Sequence, residues 1–264
     1  NDSPVGGIDM TGSADLELPN CGILDNAKGA FALHLGGGAT LKAKAIGIVG
    51  TDTVRNGGKL TPKPPTTGMT AVNDPLSSLV AAVPASDYSS GCTSASITKS
   101  TTIGPSSPTG FVCYNSLSFP MGSPTITLNP GLYIFNGAGG LNVASGTILN
   151  GTGVTFYFVN GASFTISNGA VANLTAPTSG TYSGLLFYQD SGDLAADSFT
   201  GGSTGPFSGI FYLPSANLTL ANGTATTFTV DLVVGSLKMS GNATLAPYAP
   251  LSGASVLSVP QLVE

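Results

Sequence analysis

Charge is what this sequence lacks most: eight basic and thirteen acidic side chains in 264 residues make 8% of the chain, against about 25% in an ordinary soluble protein. The shortage is uneven, because Ser100 through Gln189 contains no Asp, Glu, Lys or Arg at all. Tryptophan is absent and His34 is the only histidine. Long apolar runs are missing too: Gly, Ser, Thr, Asn or Pro interrupts every few positions, so no stretch reads as a transmembrane helix. With a net charge of −5 and seven of the eight basic residues at or before Lys99, no cationic face is left to bind nucleic acid.

What is present argues for strands. The apolar fraction of 41% suffices for a large core and excludes disorder by composition. Glycine and proline, 37 and 18 residues, together with abundant Thr, Val and Ile, disfavour helices and favour an all-β chain.

Two interleaved series run along it. One is an alternating phrase with a small corner: Ile8-Asp-Met10-Thr-Gly12-Ser-Ala14-Asp-Leu16, Leu33-His-Leu35 to Leu41, Leu141-Asn-Val143 to Leu149, and Leu237-Lys-Met239 to Leu245. The other is apolar and aromatic at nearly every position: Ile46-Gly-Ile48, Leu132-Tyr-Ile134-Phe135, Val154 to Val159, Leu185-Leu-Phe187-Tyr188, Ile210-Phe-Tyr212-Leu213 and Val230 to Val234. Short strands and Gly/Asn corners recurring every 20 to 25 residues are the pattern of a solenoid. The sequence therefore predicts a right-handed parallel β-helix (β-solenoid), one domain over residues 1–264. A Pro-, Ser- and Thr-rich excursion is expected over 51–114, with a short helix from Asp74 to Val83 capped by Asp74.

Stacking accounts for the missing charge. Coils about 4.8 Å apart place equivalent positions above one another, and like charges at that spacing repel by about 1 kcal/mol in water and about 3.5 kcal/mol at an effective dielectric near 20. Thr, Ser and Asn ladders carry no such cost. Charge is expected where stacking stops, in the excursion and in the loop from Asp190 to Asp197.

Several segments together resemble the extracellular C-terminal region of TadG-like envelope proteins, which accompany bacterial tight-adherence (Flp) pilus systems. They are Leu18-Pro-Asn-Cys21-Gly-Ile-Leu-Asp-Asn26, Leu128-Asn-Pro-Gly-Leu-Tyr133, Gly151-Thr-Gly-Val-Thr-Phe156, Leu174-Thr-Ala-Pro177, Gly184 to Asp190 and Ile210-Phe-Tyr-Leu-Pro214. The resemblance implies a secreted or surface-exposed protein of a Gram-negative envelope, with other pilus or envelope proteins as partners and no enzymatic role. The family's usual N-terminal transmembrane helix has no counterpart in this sequence.

The candidate sites are few. Cys92 and Cys113 flank a loop that a disulfide would close, leaving Cys21 over; three reduced, buried thiols are the alternative. Asp190, Asp193 and Asp197 form the densest acidic group, with the carboxylates that a Ca²⁺ site or a pair of glycosidase acids would need, although a solvated loop is the plainer reading. No other cofactor is indicated. Gly201-Gly-Ser203-Thr-Gly205 matches G-x-S-x-G but has only His34 as a partner. The expected role is a non-enzymatic structural or adhesive surface component, self-associating into an oligomer or filament through open end rungs at Ile8 and Met10 and at Val256, Leu257 and Val259. A carbohydrate-binding or carbohydrate-cleaving β-helix with surface glycans as ligands is the alternative, and an ice-binding solenoid with Thr-bearing strands a lesser one.

Overall fold

A computed structural model describes residues 7–245, apart from Pro75, Ser78, Leu79, Met121, Ser123 and Ser145. Within them every paired strand is parallel to its neighbours, and the only helical segment is a 3-10 turn at Ala85–Asp87. The chain is a β-solenoid of about 10 turns. Each coil visits three faces in the same sequence, here A, B and C, and no helix among the described residues is long and apolar enough to cross a membrane.

The coils do not stack in chain order. On face A the neighbours run Asp52–Val54, Leu33–Leu35, Ile8–Met10, then 237–239, 218–220, Asp197–Phe199, Phe164–Ile166, 141–143, 117–119 and 94–96. Numbered along the chain, coils 1 to 3 occupy residues 8–66, and coils 4 to 10 begin at Thr93 and end at Leu245. Coil 10 then docks under coil 1. At this seam Ile8, Asp9 and Met10 lie in register with Leu237, Lys238 and Met239, and Asp15 and Leu16 with Thr244 and Leu245. Thr11 N–H donates to Met239 O, Asp15 N–H to Ala243 O and Leu237 N–H to Gly7 O, each at 2.9 Å.

The rung at Ile8 and Met10 is therefore not an end: strands flank it on both sides, because the N-terminal coil is inserted into the stack. Val256, Leu257 and Val259 lie outside the described residues. The true ends are coil 3, at Asp52–Val54 and Lys59–Thr61, and coil 4, at Thr93–Ser96 and Thr101–Ile103. Each of these strands has a single strand neighbour.

The excursion is narrower than the sequence suggests. Residues 52–54 and 59–61 complete coil 3 and residues 93–114 build coil 4, leaving 62–92 without strands except for an isolated bridge from Thr66 to Gly47. This segment is a strap that returns the chain from one end of the stack to the other. The expected helix is reduced to a turn: Asp74 Oδ1 accepts the Leu76 N–H at 2.9 Å and Val80 N–H reaches Leu76 O at 3.1 Å, while the Pro84 that follows bars continuation.

The strap explains the second sequence series. It crosses the outside of face C, where Leu76 and Val83 pack with Leu132, Ile134, Tyr157 and Tyr188 on successive coils. The opposite side of the same strands points into the core, with Tyr133, Phe135, Phe156, Phe158, Phe187 and Phe211 buried. A sheet covered on both faces is apolar at every position, whereas faces A and B, open to solvent on one side, alternate. Polar anchors fix the strap along its length. Asn26 exchanges two hydrogen bonds with Val72 at 2.7 and 2.9 Å, Tyr212 OH donates to Asp74 Oδ2 at 2.7 Å, and Asn136 Nδ2 donates to Tyr88 O at 2.8 Å. The Cys92–Cys113 disulfide closes its far end.

Corners between faces A and B form a column of left-handed residues, among them Gly12, Gly37, Gly241 and Asn168 with φ of 70°, 64°, 68° and 53°. A Cβ on Gly12 would meet the Gly241 backbone at 2.8 Å, so at the seam glycine serves both the turn and the close approach of two coils.

Candidate functional site

The acidic group sits in the corner leading from face C of coil 7 to face A of coil 8, and its carboxylates are turned to structural use. Asp190 accepts the Gly192 N–H at 2.9 Å through Oδ1 and the Tyr157 hydroxyl at 3.1 Å through Oδ2. Asp193 Oδ1 accepts the Ala195 N–H at 2.9 Å, and its Oδ2 reaches to the coil below for the Gly161 N–H at 2.8 Å. Asp197 Oδ1 accepts the Phe164 N–H of that same coil at 2.8 Å. These carboxylates take the place of ladder acceptors that a wide loop cannot offer. They stitch the loop to the preceding coil.

Asp197 faces inward, in register with Leu218 on the next coil. Burial, only partly offset by the Phe164 hydrogen bond and reinforced by the Asp193 charge, pushes its carboxyl up to about 8. It is protonated at neutral pH and shut off from solvent. An acid and base flanking a sugar bond need two reachable carboxyls, and here Asp193 and Asp197 are both buried. Among the described residues no three acidic, His or Cys side chains converge to hold a metal ion. A shallow depression of ≈ 530 Å³ borders the loop, rimmed by Asn160, Asp190 and the exposed Leu194.

The G-x-S-x-G match is a corner. Gly201 and Gly202 adopt φ of 62° and 74°, and Ser203 turns inward, fully buried, at a position that small residues such as Ala170 and Ala243 fill on other coils. His34 lies on face A of coil 2, where its Nδ1 is 2.8 Å from Asp9 Oδ1. The two belong to different parts of the stack, so no triad forms. Cys21 is free, half-buried in coil 1, and burial raises its thiol pKa, so it is held as thiol.

The broad accessible surfaces are the outer columns of faces A and B. On face A coils 4 to 9 present Ser96, Ser118, Asn142, Thr165, Ser198 and Thr219 in register. On face B, Thr127, Asn150 and Asn173 align, with Asn173 Nδ2 donating to Asn150 Oδ1 at 2.7 Å, and Thr152, Thr175 and Ser208 align beside them. These columns carry no charge. Coils 1 to 3 carry it instead, against the expectation that charge marks interruptions of the stack. Asp9 lies between Lys238 and His34, Glu17 is beside Lys42, and Asp15, Thr40 and Lys59 follow one another. Alternating sign along the column removes the repulsion that a repeated charge would create.

Sequence pattern alone does not join the strap residues Leu76, Val83 and Tyr88 to the outer row of tyrosines on face C. The signal in the sequence is the absence of alternation in the apolar series, which marks a second covered face. Comparison with family models, curated proteins and solved structures returns no match.

Proposed function

We propose that the protein is a non-enzymatic structural or adhesive component of a bacterial surface appendage, acting outside a Gram-negative cell. The observation that carries this reading is the run of in-register, uncharged outer columns on face A from coil 4 to coil 9 and on face B from coil 5 to coil 8. Such a rod presents repeated hydroxyls and amides on a stiff frame and gathers no set of reachable catalytic groups in the acidic loop. The Cys92–Cys113 disulfide suits an oxidising compartment, and the resemblance to TadG-like envelope proteins supplies the pilus association.

The test is immunogold labelling of native cells together with adhesion of a deletion strain. Label on the cell surface and reduced adhesion restored by the wild-type gene are the expected results. Confinement to the cytoplasm, or turnover of a polysaccharide by the purified chain, overturns the reading. A glycan array separates the alternative, binding of a neutral glycan along face B, which the Asn150–Asn173 pair and the neighbouring threonines favour. In that case Asn173→Ala weakens binding, while Asp190→Asn leaves it unchanged.

A further inference from the structure

The two ends of the stack differ in chemistry. Coil 3 ends in Asp52, Arg55, Lys59 and Lys63, with Pro62, Pro64 and Pro65 where the strap departs. Lysine and proline at a sheet edge are the usual means of keeping another chain from pairing there. Coil 4 has no such guard: within residues 93–114 Lys99 is the sole charged side chain, and the prolines, Pro105 and Pro108, lie in the loop outside its strands.

The coil 4 end also leaves apolar positions uncovered on both sides of its sheet. Phe111, on the outer side of face C, is 47% exposed, whereas its register partner one coil further in, Leu132, is 7% exposed beneath the strap. Ala95, Ile103 and Val112 are only partly buried, while Leu117, Leu128 and Tyr133, which stand over them, are buried. Backbone groups line this edge as well. The Ile97 N–H is used by Ser118 O at 2.9 Å, so in an alternating strand the Ser96 N–H points to the open edge.

The molecule contains its own example of what such an edge accepts. At the seam, coil 1 sits on coil 10 through in-register ladders, although the covalent path between them runs through the rest of the chain. Coil-on-coil docking therefore needs no chain continuity. From this geometry we infer that the coil 4 end docks against the coil 4 end of a second copy, giving a closed, isologous dimer. Edges related by a two-fold axis pair antiparallel, Phe111 and the partly buried core positions are covered, and the guarded coil 3 ends point outward. Such a contact closes on itself, whereas joining coil 3 to coil 4 would generate an open fibre. This inference does not depend on the surface role proposed above.

The experiment is sedimentation velocity with small-angle scattering on the full chain over a wide concentration range. Expected are a monomer–dimer equilibrium and a dimer whose longest dimension is close to double that of the monomer. Phe111→Lys, at an exposed site, weakens dimerisation at least about ten-fold, while Thr61→Lys at the guarded end has no effect. Ser96→Pro removes an edge donor without touching the ladder to the next coil, and weakens the dimer independently of Phe111. Circular dichroism confirms that each variant is folded. The proposal is overturned by a monomer at millimolar concentration, by association that survives both coil 4 variants, or by growth beyond the dimer that Thr61→Lys abolishes.

Discussion

Coils 5 to 8 bury nine phenylalanines among their Leu, Ile, Val and Ala and present uncharged outer columns on faces A and B, whereas coils 1 to 3 fill their interior with Ala, Leu, Ile and Met and carry charge in columns of alternating sign. Phe135 stacks on Phe158 at 5.0 Å, and Phe156 on Phe187 at 5.2 Å. In the N-terminal block the corresponding volume is taken by Met10, Leu16, Leu35, Leu41 and Ile48, all buried. The larger block is therefore consolidated by its core and by the strap stapled across face C. The smaller block depends on its seam with coil 10, and there Asp9 of coil 1 lies in register with Lys238 of coil 10, opposite in sign.

The sharpest break of this comparison is Phe187→Ala. Its ring touches Phe156, Phe164 and Phe211 at centroid distances of 5.2, 4.5 and 4.6 Å, and the truncation is expected to cost about 3–5 kcal/mol in denaturant unfolding. Hydrogen exchange on that variant should show coils 5 to 8 opening first, with coils 1 to 3 changed least. Equal loss of protection throughout would mean that the two blocks are one cooperative unit.

Next in size is the staple. Replacing Cys92 and Cys113 by serine should destabilise the chain by about 3 kcal/mol in the chain-entropy account, with increased proteolysis within the strap. An unchanged unfolding midpoint would show that the strap's packing on face C is sufficient alone. Charge placed in the neutral block supplies a third test. Asn150→Asp and Asn173→Asp should each be mild, and together worse than additive by about 1–3.5 kcal/mol. Strict additivity would sink the electrostatic explanation of the charge gap.

Asp197 gives a pH signature confined to the larger block. With its carboxyl at about 8 in the folded chain and 3.8 as the ordinary value, the native state keeps a proton that the unfolded state has released. Its contribution is full below the unfolded value and falls by up to about 1.4 kcal/mol per pH unit until the folded value is reached. Asp197→Asn, which preserves an acceptor for the Phe164 N–H, should flatten the decline between these limits; an unaltered slope would assign the pH dependence to other groups. The smallest effect belongs to the seam. Asp9→Asn should cost no more than about 1 kcal/mol and should raise exchange in coils 1 to 3 only, an effect that high salt reproduces in the wild type.

Legibility in the sequence followed the range of the interactions involved. The alternating phrases, the Gly/Asn corners and the apolar series are local, and each maps onto a face: Leu33-His-Leu35 on face A, Gly37 at the corner, Ile46-Gly-Ile48 on face C. Cys92 and Cys113 were legible as a pair because the loop between them is short. The excursion reads wider in the sequence than in the fold because prolines at 62, 64, 65, 105 and 108 mark a continuous irregular segment, yet strands at 52–54, 59–61, 93–96 and 101–103 lie between or beside them. The acidic loop was visible as a cluster but not in its role, since that depends on the Gly161 and Phe164 amides of a neighbouring coil.

The sequence alone determined that the chain winds into parallel coils, since alternation and corner chemistry are set within some twenty residues. It also determined that repeated positions avoid like charge. Tertiary structure alone decided which coil lies beside which. A coil edge is backbone, and one edge accepts another with little regard to side-chain identity. Local pattern therefore does not reveal that Met10 rests on Met239, that the strap lies over face C, or that the stack ends at coils 3 and 4.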